Sequence, residues 1–489
     1  MTREVELKLE VEPDDIPLLR QDPVLAGARS HSSNQVTVYY DTRKTRLKKH
    51  GFTLRVRSVG ERFVQTVKPT ADTVGLMSRE EIECEVDSLK PDVACLAQHP
   101  LHALLNGKAT QLVPLIRSDV TRTSWQIDRR NGRMQLDLDD GTVSAGERSQ
   151  DFAELELELL DGPPSSLIVT ARRLSDHVPV RIGVLSKAER GYLLANGALG
   201  KTVKGTPVHV RAGMTVGEAF ELILHACIKH YRLNEPLVRR EREPSALHQT
   251  RVAMRRLRSA LSLFRPAVED VEFQHLHHEL RWFTAQLGHA RDLDVYLHRK
   301  LEPDERSRLL KQRASAYDDV IDAMNSHKVR RLFIDIVGWV ALGAWRRGKP
   351  ASRPVVPFAG RRLDKLWRSI ASSGRDVAHM DEHTRHLLRI QVKKMRYAIE
   401  FLRGLYPKAR ESEKAFAISV EELQESLGKL NDMVTARGIA RAPSDDGWLI
   451  GSYEERRHLR AAEDAYRELL RAGPFWRDRG AASVDLEKV

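Results

Sequence analysis

Cysteine is scarce in this chain of 489 residues. The three cysteines, Cys84, Cys95 and Cys227, show no paired spacing, which argues against a disulfide framework and favours a reducing cytoplasm. Long apolar segments are also missing. The longest, from Leu332 to Trp345, has about 14 residues and is too short to span a bilayer. The N-terminus is charged from Arg3 onward, so we expect no signal peptide, no membrane association and a cytoplasmic location.

Aromatic residues make up 6% of the chain, whereas charged residues make up 30% and leave a formal net charge of +12. Residues 1–200 hold 27 Lys and Arg against 29 Asp and Glu, and the remainder holds 53 against 39. The basic second part is therefore expected to bind a polyanion. Nucleic acid is disfavoured as that polyanion, because Trp and Tyr do not interleave with the basic residues as stacking platforms would.

The C-terminal part contains an internal duplication. The segment from His248 to Arg258 returns as the segment from His386 to Arg396, with the pattern His-x-x-Arg-x-x-x-basic-basic-x-Arg. About forty residues later, Leu-Gly-x-x-Arg/Asn-Asp follows each copy, at Leu287 to Asp292 and at Leu427 to Asp432. The basic positions are His248, Arg251, Arg255, Arg256 and Arg258 in the first copy and His386, Arg389, Lys393, Lys394 and Arg396 in the second.

Positions 248, 251, 255 and 258 lie on one helical stripe, because steps of three and four residues return to the same face. A single charged stripe is most often a solvated surface. Val252, Met254, Leu257 and Leu261 nevertheless give this helix an apolar side to bury, and the repeated spacing favours two basic helices that face a groove. Both histidines are expected to bind phosphate or cap a helix, since no second metal ligand repeats beside them.

Residues 1 to about 160 alternate polar and apolar residues with period two, which is typical of β-strands. The polar rows are Glu4, Glu6, Lys8 and Glu10; Arg55 and Arg57; Thr66 and Lys68; Arg79, Glu81, Glu83 and Glu85; Gln135, Asp137 and Asp139; and Glu154, Glu156 and Glu158. A sheet with one face in water would also alternate. The sorting into acidic and basic rows favours a closed barrel of roughly eight strands, lined by carboxylates on one wall and cations on another.

This lining predicts chemistry on a phosphoanhydride. Clustered carboxylates are hard oxygen ligands for Mg²⁺ or Mn²⁺, and several Arg and Lys side chains match the charge of a polyphosphate. A divalent ion that bridges a phosphoryl oxygen and a water supplies the nucleophile and neutralises developing charge. No Walker-type Gly-rich loop occurs, so side chains must hold the phosphates. The amphipathic segments Pro91 to Asn106 and Pro164 to His177 are expected to cover the apolar outer face of the sheet.

An ordered series of motifs over residues 1–197 resembles the CYTH family, the triphosphate tunnel metalloenzymes. The motifs are Glu4-x-Glu6-x-Lys8, Tyr40-Asp41-Thr42, Leu54-Arg55-Val56-Arg57, Thr66-Val67-Lys68, Arg79-x-Glu81-x-Glu83, Glu154-Leu155-Glu156-Leu157-Glu158 and Ser186-Lys187-Ala188-Glu189-Arg190-Gly191-Tyr192. The resemblance implies an eight-stranded antiparallel tunnel and hydrolysis of inorganic triphosphate or thiamine triphosphate, or cyclisation of ATP. The His-Phe start of the bacterial cyclase branch is absent, which disfavours cyclisation.

The resemblance also implies roles for individual residues. The catalytic divalent metal would be held by Glu4, Glu6, Glu154 and Glu156, and a second metal or a water by Glu81, Asp139 and Glu158. The triphosphate would be held by Lys8, Arg55, Arg57, Lys68, Arg79 and Lys187, with Arg122 in addition. Within this set, Glu4, Glu6 and Lys8 form the catalytic motif.

The duplicated basic helix, with His230 ahead of it, resembles the CHAD family, an all-helical module of two pseudo-repeats. That resemblance covers residues 212–485 and implies binding of inorganic polyphosphate. Lysines at 393 and 394 and Asn431 in place of Arg291 suggest weaker contacts in the second copy.

The whole chain is thus expected to be a multidomain α+β protein. An N-terminal eight-stranded antiparallel β tunnel barrel with flanking helices would span residues 1–200. A C-terminal all-α duplicated helical bundle would span residues 212–485, with repeats at about 212–348 and 358–475. The leading function is a metal-dependent inorganic triphosphatase with a polyphosphate-binding domain. The alternatives are a non-catalytic polyphosphate-binding protein, or a triphosphatase that acts on thiamine triphosphate or nucleotides.

Overall fold

A computed structural model describes residues 4–70, 74–79, 82–96, 101, 105, 111–129, 132–298, 301–373, 377–439 and 445–477. Contacts divide the chain into two compact units. The first contains Met1–Gly205, His225–Met254 and Gln274–Gly343, and the second contains Thr206–Leu224, Arg255–Phe273 and Ala344–Val489. The two units are defined by the contacts between residues. The limits expected from the sequence, 1–200 and 212–485, instead separate the β-rich part of the chain from the all-helical part. Helical residues of the first repeat therefore group with the N-terminal sheet.

All strands belong to one antiparallel sheet in the first unit. The strands are β1 Glu4–Val11, β2 Ser30–Thr42, β3 Phe52–Val59, β4 Arg62–Pro69, β5 Leu76–Arg79, β6 Ile82–Val86, β7 Leu112–Arg129, β8 Gly132–Ala145, β9 Arg148–Asp161 and β10 Arg181–Ile182. Their order is β10, β1, β9, β8, β7, β2, β3, β4, β6, and β5 also pairs with β1.

The sheet closes on itself through one stretch of chain. Strand β5 pairs with β1, and β6, which begins three residues after β5 ends, pairs with β4 at the opposite edge of the sheet. Counting β5 and β6 as one passage and leaving out the two-residue β10, eight strands surround the interior. The antiparallel sheet with flanking helices that the alternation predicted is confirmed.

The register brings the acidic rows and the first strand together. Asp139 lies opposite Glu154, and Asp137 lies opposite Glu156, across the β8–β9 pair. On the other side of β9, Lys8 also lies opposite Glu156. Because side chains two residues apart share a face, these groups point to the same side of the sheet.

Apolar residues cover the outside of the closed sheet. One cluster joins Val38, Leu54 and Val67 from three neighbouring strands to Leu96 and Leu105. Part of the predicted helix Pro91 to Asn106 lies outside the described residues. Within the described part, this segment contains a 3₁₀ turn at Ala94–Leu96, and residues 101 and 105 are also described. The second predicted covering helix is present as Ser165–His177.

The helices are α1 Ile16–Arg20, α2 Arg46–Lys49, α3 Ser165–His177, α4 Lys187–Ala195, α5 Val216–Glu241, α6 Pro244–Val268, α7 Val271–Gln286, α8 Gly288–Tyr296, α9 Pro303–Asn325, α10 His327–Leu342, α11 Val355–Ser373, α12 Glu382–Leu402, α13 Arg410–Ile439 and α14 Asp445–Ala472. Among the described helices, none combines the length and apolar character needed to cross a membrane. Helices α9 and α10 are separated at Ser326, whose hydroxyl accepts from the amide of Val329 and begins α10.

Ion pairs explain why residues 225–241 of α5 group with the sheet. Arg232 donates to the Glu10 carboxylate at the end of β1 at 2.6 Å, and Arg239 pairs with Glu12 at 3.1 Å. Arg181 of β10 donates to Glu235 of the same helix at 3.0 Å and is itself buried. Because several of these groups are withdrawn from water, each needs its partner to remain charged in the folded state.

Gly141 of β8 has no room for a side chain. A Cβ there would lie 2.1 Å from the carbonyl oxygen of Asp119 and 2.7 Å from Cα of Val120, both in the backbone of β7. We predict that Gly141→Ala forces the two strands apart and lowers the free energy of unfolding by about 1–3 kcal/mol, measured by urea denaturation. Gly213→Ala is the matched control, because nothing lies within 4 Å of that Cβ. Equal midpoints for the two variants would contradict the prediction.

Candidate functional site

The interior of the closed sheet is a charged cavity of about 240 Å³. Its lining comes from eight strands and from the segment that leads into α4. The charged lining residues are Glu6, Lys8, Arg55, Arg57, Lys68, Glu83, Arg122, Asp137, Glu156, Glu158, Lys187 and Glu189. This is the arrangement that the sorted polar rows predicted, with acidic residues of β8 and β9 and basic residues of β3 and β4 around one space.

Three carboxylates at one wall fit a divalent metal ion. One carboxylate oxygen each from Asp139, Glu154 and Glu156 lies within 4.8 Å of the other two. Asp139 and Glu154 are buried, and Oε2 of Glu154 is buried without a hydrogen-bond partner. Hard oxygen ligands of this kind suit Mg²⁺ or Mn²⁺, and an unpartnered buried oxygen is available for coordination.

Three cationic side chains of the protein neutralise these carboxylates. The amine of Lys8 lies 3.1 Å from Glu154 and 3.2 Å from Glu156. Lys187 pairs with Asp139 at 2.6 Å and also contacts Glu154. In addition, the guanidinium of Arg122 contacts three carboxylates, at 2.8 Å from Asp137, 2.6 Å from Asp139 and 2.7 Å from Glu156.

Mutual attraction favours the charged forms of Lys8, Lys187, Asp139 and Glu156. Burial alone would lower the pKa values of Lys8 and Lys187, but the neighbouring carboxylates outweigh burial and hold both pKa values above the ordinary value of lysine. Burial would raise the pKa of Glu156, but the surrounding cations, led by Lys187, hold it well below its ordinary value. The pKa of Asp139 is lowered against the effect of burial by Lys187 and Arg122.

The opposite wall carries cations under mutual repulsion. Burial, together with the charges of Arg55 and Arg122, lowers the pKa of Arg57 to about 10. The Nε of Arg57 donates to Oγ1 of Thr37 on β2 at 3.3 Å, which fixes the direction of the guanidinium. Lys68 reaches the same cavity from β4. A bound anion would relieve the repulsion among these cations, so this wall is suited to phosphate oxygens.

Lys187 is held in place by the start of α4. The hydroxyl of Ser186 accepts from the amide of Glu189, and the Glu189 carboxylate accepts from the amide of Ser186, which is a complete capping box. The other oxygen of Glu189 pairs with Lys229 of α5 at 2.6 Å. A helical side chain therefore helps to position the segment that brings Lys187 into the cavity.

Two further motif residues serve the fold rather than the cavity. The buried carboxylate of Asp41 accepts from the amides of Thr42, Leu47 and Lys48. It also accepts from the hydroxyl of Tyr192 at 2.8 Å. The Tyr40-Asp41-Thr42 motif thus ties β2 to α2 and α4.

The structure brings most of the predicted site residues together. Among the described side chains, Glu6, Lys8, Arg55, Arg57, Lys68, Arg122, Glu156, Glu158 and Lys187 line the cavity, and Asp139 and Glu154 contact its cations. Glu4 and Arg79 lie opposite each other in the β1–β5 pair, but their side chains are outside the described part, as is Glu81.

Two cavity residues were missing from the predicted site although their rows were recognised. Asp137 pairs with Arg122, and Glu83 accepts from the hydroxyl of Thr66 at 2.9 Å. Both lie two residues from a predicted ligand in the sequence, in the same polar row, so the period of two was the signal that could have found them.

In the first unit, the structure places His248 and Arg251 on α6, both half-buried. A Cβ on Gly288, in the first Leu-Gly motif, would lie 3.4 Å from Nη1 of Arg251. The two parts of the duplicated pattern therefore meet in the first repeat.

The prediction for Arg256 needs correction. Its side chain is 1% exposed, and its Nε pairs with Glu400 of α12 at 2.7 Å. Its Nη2 donates to the carbonyl of Thr206 at 3.0 Å. Because Arg256 lies about 100° around the helix from Arg255, it packs into the second unit and does not face a ligand surface. Arg258, two positions further, is half-buried.

In the second unit, Arg255 of α6 and Arg389 and Lys393 of α12 form one cationic cluster. Burial, the charge of Arg389 and the charge of Arg255 lower the pKa of Lys393 to about 8, although Asp432 opposes them. Burial also lowers the pKa of Arg389, with Arg255 adding to the effect. The proximity of these positive charges is the feature expected of a polyanion site.

The other predicted residues of the second copy flank this cluster. His386 hydrogen-bonds through Nδ1 to Oδ1 of Asn431 at 3.0 Å, which joins the basic helix to the second Leu-Gly motif. The Nε of Arg396 donates to Gln424 at 2.8 Å, and Lys394 is half-buried.

Comparisons with known proteins match two separate parts of the chain to two families. The family model of the CYTH domain matches residues 2–192, and that of the CHAD domain matches residues 222–441. The chain is a CYTH–CHAD protein. An inorganic triphosphatase from Haemophilus influenzae is 29% identical over 203 residues, which are 40% of this chain and 56% of that relative's length. The chain thus matches little more than half of that curated relative.

Solved structures resemble each domain separately. The CHAD domain from the plant Ricinus communis is 27% identical and covers 56% of this chain and 98% of its own, with a TM-score of 0.47. HpAC1 from Hippeastrum, for which a dominant triphosphatase activity is described, is 20% identical and covers 40% of this chain and 97% of its own, with a TM-score of 0.31.

We predict that Asp139→Asn weakens Mn²⁺ binding at least about tenfold, because the amide removes a negative charge and leaves one oxygen acceptor. Isothermal titration calorimetry of the whole chain with Mn²⁺ measures this change. Asp151→Asn is the control, because Asp151 is an exposed carboxylate of β9 whose contact is the hydroxyl of Thr142 at 2.6 Å. If both variants bind Mn²⁺ as the parent does, the carboxylate cluster is not the metal site.

Proposed function

We propose that this CYTH–CHAD protein is a metal-dependent inorganic triphosphatase that hydrolyses triphosphate to pyrophosphate and phosphate. The observation that carries the proposal is the cavity inside the closed sheet, where the carboxylate cluster of Asp139, Glu154 and Glu156 lies beside arginines and lysines. The triphosphatase relative from Haemophilus influenzae supports the same reaction class for the CYTH domain. A small, dense anion fits a cavity of about 240 Å³ better than a nucleotide would.

The side chains divide the work between substrate and metal. Asp139, Glu154 and Glu156, joined by Glu4, Glu6 and Glu158 of the predicted set, would hold Mg²⁺ or Mn²⁺. When bound, such an ion neutralises phosphoryl charge and activates a water. The cations Arg55, Arg57 and Lys68 on one side and Lys8, Arg122 and Lys187 on the other would bind the phosphate oxygens and keep the chain of phosphates extended between them. Arg79 completes the predicted set.

The closed sheet contributes by limiting the access of bulk water. Charge interactions are stronger in a space that holds few waters, so preorganised cations stabilise the charge that develops on the leaving pyrophosphate. The capping box at Ser186 and the hydrogen bond from Arg57 to Thr37 fix two of these cations before substrate arrives. Less free energy is then spent on reorganisation during the reaction.

For the CHAD domain we propose binding of inorganic polyphosphate. The cluster of Arg255, Arg389 and Lys393 supports this role. Burial and the charges of Arg389 and Arg255 lower the pKa of Lys393, and a bound polyanion would relieve the repulsion among these charges. The alternative to an enzyme is a non-catalytic polyphosphate-binding protein, for which this cluster would be the working part. Thiamine triphosphate and nucleotides are the other substrates to compare.

Phosphate release by the whole chain tests the enzyme proposal. With Mg²⁺ or Mn²⁺, we expect rapid turnover of inorganic triphosphate and much slower turnover of thiamine triphosphate, ATP and long-chain polyphosphate. Glu4→Ala and Glu154→Gln should each lower kcat by roughly a hundredfold or more, because each removes a charged oxygen from the metal site. Asp151→Asn should leave kcat unchanged.

Two outcomes would contradict this proposal in different ways. Activity that survives Glu4→Ala and Glu154→Gln would refute the metal site while leaving an enzyme. No hydrolysis of any of the four compounds, with polyphosphate still bound, would make the protein a binding protein.

We predict that polyphosphate binding weakens as the pH rises through the pKa of Lys393. The pKa of about 8 means that this lysine is mostly charged at pH 7 and mostly neutral at pH 9, and a bound polyanion favours the charged form. The dissociation constant for long-chain polyphosphate should therefore increase about three- to tenfold between pH 7 and pH 9 at constant salt.

Lys393→Arg is the matched control, because arginine keeps its charge over this range. The variant should bind with little change between pH 7 and pH 9, and any titration of the polyphosphate itself affects both proteins alike. An equal pH dependence in the two proteins would show that Lys393 does not contact the ligand.

A further inference from the structure

A second basic cavity lies in the second unit, away from the residues of the duplicated stripe. It has a volume of about 340 Å³. Its lining residues are Val216, Pro266, Ala267, Pro350, Arg353, Phe358, Arg361, Arg362, Lys365 and Arg368. Five of them carry a positive charge, and within the described part of the chain none of the lining residues is acidic.

Helix α11 sets the spacing of the cations. Arg361, Lys365 and Arg368 follow one another by four and three residues, so their side chains lie on one face and span about 10 Å along the helix axis. All three are exposed. Like charges at this spacing destabilise a helix, and a bound anion would remove that repulsion.

The neighbouring carboxylate does not offset this charge. Asp364 lies on the same helix but pairs with Nε of Arg477 at 2.8 Å and accepts from the indole of Trp476 at 2.9 Å. Elsewhere in the second unit, exposed cations pair with carboxylates three or four residues away, as Arg265 does with Glu269. Within the described part of the chain, Arg361, Lys365 and Arg368 pair with no carboxylate.

The remaining two arginines are fixed by the fold. The Nη2 of Arg362 donates to the carbonyl of Ser262 at 3.2 Å, and its Nε is buried without a hydrogen-bond partner. The backbone of Arg353 is held because its carbonyl accepts from the amide of Val216 at 2.9 Å, while its side chain is exposed. Hydrogen bonds therefore hold the side chain of Arg362 and the backbone of Arg353 beside the cavity.

We propose that this cavity, built on Arg353, Arg361, Arg362, Lys365 and Arg368, is a second binding site for a linear oligophosphate chain. The inference rests on the proposed function, because it takes the same ligand class as the cluster around Lys393. A phosphate chain matches a row of cations with no acidic neighbour, and arginine forks bind its oxygens in pairs. Nucleic acid fits less well, because the one aromatic lining residue, Phe358, is buried and offers no exposed ring for stacking.

Lysine footprinting with an amine-reactive reagent tests the site on the whole chain. Long-chain inorganic polyphosphate should protect Lys365, and it should protect Lys393 independently as the reporter of the cluster proposed above. Lys311, an exposed lysine of α9, should remain reactive. The double variant Arg361→Ala and Arg368→Ala should raise the polyphosphate concentration that half-protects Lys365 about fivefold or more, since it removes two phosphate contacts.

The matched control is Arg456→Ala with Arg460→Ala, which removes two exposed arginines from α14 and changes the net charge equally. It should leave the protection of Lys365 unchanged. If Lys393 is protected while Lys365 stays reactive, this second site does not exist and the proposed polyphosphate function stands. If neither lysine is protected, both proposals fail.

A single-stranded oligonucleotide of equal charge serves as the competing ligand. Protection of Lys365 by the oligonucleotide at the same or a lower concentration than polyphosphate would overturn the assignment of the ligand class. Protection by polyphosphate alone, lost in the Arg361 and Arg368 double variant and kept in the control, would support the site.

Discussion

The buried pairing of Asp139, Glu154 and Glu156 with cations is the constraint on which the closed sheet depends. Removing so many charges from water costs several kcal/mol for each ion unless opposite charges face each other at short range. Strand register provides that arrangement, since Lys8 lies opposite Glu156 across the pair of β1 and β9. The same pairing of charges would couple metal binding to substrate binding. A divalent cation on the carboxylates would replace the charge that Lys187 and its neighbours now supply, and those cations would become available to phosphate oxygens.

The helices of the first repeat are part of the N-terminal unit for an electrostatic reason. The polar row of β1 continues past the cavity to Glu10, and Arg232 of α5 neutralises Glu10 there. Lys229 of the same helix pairs with Glu189, the capping residue of the segment that carries Lys187. A CYTH domain cut off near residue 200 would leave these carboxylates without their partners, so the charged cavity depends on helical residues that follow the sheet in sequence.

Much of the site could be predicted from sequence because a strand has a fixed period of two. The rows through Lys8, Arg55 and Glu156 needed only their spacing to be assigned to one interior. The same period could not show that Glu10 pairs with Arg232 of α5 and does not line the cavity, because that depends on which helix packs beyond the end of the cavity. Repetition in the basic helices had a similar limit. It identified Arg255 and Arg256 as equivalent to Lys393 and Lys394, but burial of Arg256 against Glu400 depends on a partner 144 positions away.

The first helix of each repeat shows how context decides the role of a basic side chain. In the first repeat, α5 directs Arg232 and Arg239 at the carboxylates of β1, and those charges contribute to the fold. In the second repeat, α11 precedes the basic helix in the same way, but no sheet carboxylate lines the cavity beside Arg361 and Lys365. The two helices therefore hold their basic side chains in different surroundings. Because no carboxylate of the described residues lines the cavity on α11, an anion from solution would have to neutralise its cations. The site proposed on α11 rests on this argument.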